Sequence, residues 1–148
     1  KITLLGVADQ PGIPARIFGP LADASINVDM IVQNVAADGV KTDVTFTVSQ
    51  DELERTMDVI AQIRQDIDCA DVNTVPDMAK ISIVGVGMRS HAGVAQKMFT
   101  VLADKGINIH VISTSEIKIS VLIDSDYAEL AVRALHSAYG LDDETVDA

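Results

Sequence analysis

The twenty residues that begin at Gly12, GIPARIFGPLADASINVDMI, return as GVAQKMFTVLADKGINIHVI from Gly93. The offset is 81 throughout (93 − 12), and eight of the twenty positions are identical. A repeat of that length within 148 residues calls for two small units built on one plan. The expected division is residues 1–78 and residues 79–148. Units of about 70 residues sit near the lower limit for independent folding, so each gains by burying surface on a neighbour.

Hydrophobic periodicity sets the plan of each unit. Ile2–Val7 and Ile81–Val86 are short, β-branched runs and read as strands. Each leads through a loop into helical spacing, with Ile17, Phe18, Leu21 and Ala22 on one face in the first unit and Met98, Phe99, Leu102 and Ala103 in the second. Gly19-Pro20 falls inside the first of these helices. Proline there costs roughly 3 kcal/mol, which predicts a kink or two short pieces.

Strands with period two follow. Ile26, Val28, Met30 and Val32 alternate with Asn27, Asp29, Ile31 and Gln33, and Ile107, Ile109 and Val111 alternate with Asn108, His110 and Ile112. A third strand carries Val44, Phe46 and Val48, or Ile119, Val121 and Ile123. Ser49 and Asp124 then stand as candidate N-caps of acidic helix starts. The buried stripes expected are Leu53, Met57, Ile60, Ile63 and Ile67, and Tyr127, Ala131, Leu135 and Ala138. The run DVNTV closes the first unit as a fourth strand; in the second only ETVDA remains, so its last strand is weak, truncated or supplied from before Lys1. The fold class is therefore α+β: two ferredoxin-like βαββαβ units, each an antiparallel sheet with helices on one face.

Composition narrows the function. Net charge is −11, with eleven Lys and Arg among twenty-two acids, which leaves no basic footprint for nucleic acid. No apolar run reaches the length of a membrane span, and Cys69 stands alone, as in a reducing, cytoplasmic setting. Aromatics make up 3% of the residues against 48% hydrophobic, so the cores are aliphatic and some apolar surface is expected in interfaces. Lys1 lies inside an apolar alternation, so the chain is expected to belong to a longer polypeptide or to be a separate small subunit.

The motifs VADQPG, INVDMIVQNV, KTDVTFTV, VGVGMRSHAGV and ISTSEIKISVLI, in that order, resemble tandem ACT domains, specifically the regulatory part of aspartate kinase. The resemblance runs from Lys1 to Tyr139. It implies a regulatory module without catalytic residues, which binds threonine, with lysine as a second effector, for feedback inhibition of the aspartate-family pathway. It further implies a homodimer through the ACT units and a catalytic aspartate kinase partner. ATP and Mg would belong to that absent catalytic part, and no cofactor or metal to this chain.

A free amino acid presents an ammonium and a carboxylate on one carbon. Asp9 can meet the first, and Gly12 opens a helix start whose N–H groups favour an anion; the same loop can also be only a tight turn. Gln33 and Asn108 offer amides that donate and accept. The resemblance implies Asp9, Gly12, Pro14, Ile26 and Gln33 from the first unit and Asn108 and Ile109 from the second as the effector site. Pro14 replaces a residue that is usually small. Ser115 and Glu116, with Met30 and Thr45, are implied for a second effector or for coupling.

The second unit's loop, Arg89-Ser90-His91-Ala92-Gly93, is two residues longer than Asp9-Gln10-Pro11-Gly12, and Arg89 is a poor receptor for an ammonium. Ile31 and Ile112, on nominally open faces, are the reason to expect dimerisation. Other readings are weaker. Gly85-Val86-Gly87 lacks the third glycine of a dinucleotide fingerprint. His91, His110 and His136 lack metal-ligand spacing. An acylphosphatase-like hydrolase shares the topology but needs an Arg in the first loop, which has none. An ACT sensor serving a different metabolic enzyme is the remaining alternative.

Overall fold

The computed structural model describes residues 1–35, 39–85 and 91–139, and of His91 only its backbone. The chain divides into two units, Lys1–Pro76 and Asp77–Ala148. The first runs β1 (Ile2–Ala8), α1 (Ile13–Asp23), β2 (Val28–Val35), β3 (Lys41–Val48), α2 (Leu53–Ile63) and β4 (Asp71–Thr74). Its sheet has the order β2-β3-β1-β4, with every pair antiparallel. The second runs β5 (Met78–Val84), α3 (His91–Asp104), β6 (Val111–Thr114), β7 (Lys118–Asp124) and α4 (Ala128–Ala138), with the order β5-β7-β6 among the described residues. The weak final strand expected in residues 144–148 lies outside them. Both units follow the ferredoxin-like plan, helices on one face of an antiparallel sheet.

Each helical face closes a core. Ile2, Leu4 and Val7 of β1, Val44 and Phe46 of β3, Ile17 and Leu21 of α1, and Ile60 and Ile63 of α2 form the first. Phe18 meets Phe46 edge-on, with centroids 5.5 Å apart and planes at 77°. Met98 and Leu102 of α3, Ile119, Val121 and Ile123 of β7, and Ala131 and Leu135 of α4 form the second.

Several expectations are corrected. Pro20 does not split α1, which runs unbroken from Ile13 to Asp23. Pro20 and Arg16, whose carbonyl loses its helical partner, are both exposed residues on one side of the helix, where water can replace the lost bond. Ala22, Ala103 and Tyr127 are exposed and lie off the buried stripes. Ile67 is buried but beyond the end of α2. Ser49 and Asp124 make no side-chain cap, because a short 3₁₀ turn, Gln50–Glu52 or Ser125–Tyr127, separates each from its helix. Thr56, unremarked in the sequence, is fully buried and donates from Oγ1 to the carbonyl of Glu52 at 2.7 Å.

The largest departure is in β2. Its pairing with β3 runs Val28↔Val48 and Asp29↔Thr47, then resumes at Val32↔Thr45 and Gln33↔Val44. One extra residue is inserted at Met30–Ile31, a β-bulge. Met30 adopts φ 48°, a left-handed conformation that costs a non-glycine residue about 1–2 kcal/mol. The Asp29 side chain holds it there, Oδ1 accepting the Met30 N–H at 2.9 Å, and Thr47 Oγ1 donates to the Asp29 carbonyl at 2.8 Å. Opposed residues in an antiparallel pair share a face. Gln33 is therefore on the face of Val44, the helix side, and not beside Asn27 and Asp29 as strict alternation required. In the second unit β6 and β7 pair without a register shift, yet the alternation also changes. Ile109 packs on the core, and Ile112, opposite the core residue Val121, is on that same face and not on the open face expected for it.

Candidate functional site

The junction between β1 and α1 is built from local backbone chemistry. β1 carries its own bulge at Leu5–Gly6, where Gly6 has φ 64° and its N–H reaches Asp43 Oδ1 at 3.0 Å. The strand ends at Ala8, and the Asp9 N–H donates to the Val40 carbonyl at 3.1 Å. Gln10 then bonds back to Ala8 at 3.1 Å, and the chain turns. Gly12, at φ 90° and ψ −13°, is the N-cap of α1. Glycine has no side chain to cap with, and no acid lies in the first turn, so the start of α1 carries no side-chain partner of its own.

Beside this turn is a hollow of about 340 Å³ lined by residues 8–14 together with Gln33, Thr42 and Val44. That is at the lower end of the ~300–1,000 Å³ that small-molecule sites occupy. Four of the expected residues, Asp9, Gly12, Pro14 and Gln33, border it together. The β2 bulge is what makes this possible, since it turns Gln33 to the helix side, next to Val44. Thr42 is buried at 1% exposure and donates from Oγ1 to the Asn34 carbonyl at 2.7 Å. Asp9 is exposed at the rim. The hollow thus sets a carboxylate, an amide and a helix start around an aliphatic and hydroxyl wall, an arrangement complementary to a zwitterion with a small side chain.

The remaining expected residues lie elsewhere. Ile26 is a core residue at 5% exposure and does not line the hollow. Asn108 is exposed and Ile109 packs against the second core; both precede β6, which starts only at Val111. Met30 forms the bulge, and Thr45 lies on the sheet face away from the helices, its Oγ1 3.0 Å from that of Thr3. Ser113 and Thr114 belong to β6, whereas Ser115 and Glu116 are exposed in the turn between β6 and β7, with the Ser115 N–H donating to Lys118 at 2.7 Å. Val86, Gly87, Arg89 and Ser90 lie outside the described residues.

Thr42 and Val44 were missed as site walls. Their place in the KTDVTFTV strand marks them as helix-side residues, but their position beside the first loop depends on the register of three strands. The run Met30-Ile31-Val32, three apolar residues that break the alternation, was the available sign of the bulge. No helix among the described residues is long and apolar enough to cross a membrane.

Comparison with known proteins bears on this geometry. The ACT-domain profile matches residues 2–63 and again 81–139. An aspartate kinase of Pseudomonas putida is 54% identical over 142 residues, covering 96% of this chain and 34% of the relative. The chain thus spans about a third of the length of the curated relatives it matches. Among solved structures, the ligand-free regulatory subunit of aspartate kinase from Thermus thermophilus superposes with a TM-score of 0.84 at 43% identity, covering 93% of this chain and 90% of that one. A structure of aspartokinase alpha and beta subunits gives a TM-score of 0.84 at 47% identity, covering 94% and 90%.

Proposed function

The chain belongs to the ACT-domain family, among the regulatory regions of aspartate kinases, and from that premise we propose that it binds threonine at the β1–α1 junction for feedback control of a kinase. The observation that carries this reading is the gathering of Asp9, Gly12 and Gln33 around one hollow at an uncapped helix start. Asp9 would take the ammonium, the first turn of α1 the carboxylate, and Gln33 the remaining polar edge, with Thr42 and Val44 facing a short side chain. Asn108 and Ile109 of another unit would complete the site. A ligand shared between units couples its affinity to their arrangement, by the 1–3 kcal/mol typical of allosteric coupling, or about 5–150-fold.

Lysine is proposed as a second effector at the exposed Ser115-Glu116 turn, where a carboxylate stands next to a hydroxyl, with Met30 and Thr45 coupling it to the first site. The partners proposed are a second copy of the chain and a catalytic aspartate kinase part in the cytoplasm, where ATP and Mg would act.

The test is titration of the full chain with each of the twenty amino acids by thermal shift and calorimetry. A ligand present at 100 times its dissociation constant adds about 2.7 kcal/mol of stability. Threonine is expected to give the largest shift. Silence with every amino acid, alongside stabilisation by phosphate or a nucleotide, would sink the proposal.

A further inference from the structure

We infer that Pro14 limits how strongly the hollow at the start of α1 can hold a ligand carboxylate, and so sets the effector concentration to which this chain responds. The inference rests on the amino-acid-binding reading above. An anion at a helix start is held by the N–H groups of the first turn, which have no partner within the helix. Here two of those groups are withdrawn. Ile13 donates its N–H to the Gln10 carbonyl at 3.3 Å, and Pro14, which borders the hollow, has no N–H at all. Arg16 is the first amide with a helical partner, donating to the Gly12 carbonyl at 3.1 Å. The amides of Gly12 and Ala15 are what remains for a carboxylate.

Among the described residues no cation compensates along the rim, whose lining holds neither Lys nor Arg. Among the described lining residues the charged side chain is Asp9, which favours an ammonium and repels a carboxylate. Proline at this helical position is easily accommodated by the fold, since its fixed φ suits the first turn. Its consequence therefore falls on the ligand more than on the helix.

The experiment compares the full chain with its Pro14→Ala variant by calorimetry, using L-threonine and L-threoninol, which keeps the ammonium and hydroxyl but lacks the carboxylate. Restoring one N–H to a charged acceptor should tighten L-threonine by about tenfold or more, the range of a charge-assisted hydrogen bond. L-threoninol should bind both proteins equally. Equal tightening of both ligands would assign the effect to ordering of the helix and overturn the inference. So would unchanged L-threonine affinity in a variant that binds it. If neither protein binds L-threonine, the threonine reading itself fails and the inference falls with it. That outcome is distinguishable because the unsubstituted chain is then already silent.

Discussion

Gly12 and Gly93 occupy matching places in the repeat, yet the two junctions between strand and helix are not alike. Gly12 stands outside α1, left-handed at φ 90°, and the chain turns on it beside the hollow. Gly93 is the third residue of α3, which begins at His91, so the helix of the second unit starts earlier relative to the repeat and is 14 residues long against 11. The two extra residues before Gly93 thus coincide with an earlier helix start. In the first unit the backbone turns sharply beside a concave rim, whereas the places in the second unit that match residues 10–12 are already helical. Two copies of one plan can in this way keep the same core and differ in what the junction can receive.

The cores give the largest test of how far the likeness extends. Phe46 is fully buried against Phe18, whereas Val121, flanked by buried Ile119 and Ile123, is its counterpart on β7. Phe46→Ala should cost ~3–5 kcal/mol, and Leu102→Ala in the second core ~2–5 kcal/mol. In denaturant, units of independent stability will show two transitions, each moved by only one of the variants. A single transition moved by both would show that the units unfold together.

Next come the ligand contacts. Asp9→Ala and Gln33→Ala should weaken threonine binding, Asp9→Ala by the ~1.5–3 kcal/mol of a charged hydrogen bond and Gln33→Ala by roughly 0.5–1.5 kcal/mol. Asp23, exposed at the far end of α1, supplies the control: Asp23→Ala removes the same charge and should leave calorimetric affinity unchanged. Equal losses at Asp9 and Asp23 would mean that the net charge of −11 was being measured, not a site.

The glycines sharpen the comparison directly. Nothing lies within 4 Å of a Cβ added at Gly12, so Gly12→Ala costs only its left-handed backbone, about 1–2 kcal/mol. Gly93→Ala, in an exposed helical position, should instead stabilise by roughly 0.5–1 kcal/mol. Opposite signs in thermal melts are expected; matching signs would show that the two junctions share one conformation.

The smallest effect belongs to Tyr139, next to the second core, for which the first unit has no tyrosine. Its hydroxyl donates to the Val94 carbonyl at 2.5 Å, and burial raises its pKa above the ordinary 10.0. In the unfolded chain the phenol ionises first, so its contribution is complete below about pH 10 and declines as pH rises through the folded value. Tyr139→Phe should lower stability at neutral pH yet flatten the alkaline slope. An unchanged slope would remove Tyr139 as its source.

The order of elements was legible in the residues alone because both signals are local. Alternation such as Val44-Thr45-Phe46-Thr47-Val48 needs only neighbouring residues to declare a strand, and Ile17 and Leu21 declare a helix face in the same way. The repeat at an offset of 81 then made two units the natural reading. The turn that carries Asp9 and Gly12 was also legible, since Pro11-Gly12 marks it locally, whereas its part in an effector site was implied only by the resemblance.

Gln33 was named from the resemblance, but its side of the sheet was misread, because parity along β2 holds only while the pairing with β3 is unbroken. The bulge at Met30–Ile31 is a property of two strands in register, held by the Asp29 side chain and by Thr47 across the sheet. One inserted residue reverses every side chain that follows it. The sequence by itself therefore determined which segments become strands and helices and that the plan occurs twice. Only the tertiary structure decided that Gln33, Thr42 and Val44 meet Asp9 and Gly12, because that meeting depends on the registers of β1, β2 and β3 together, and register is set by pairing between distant segments.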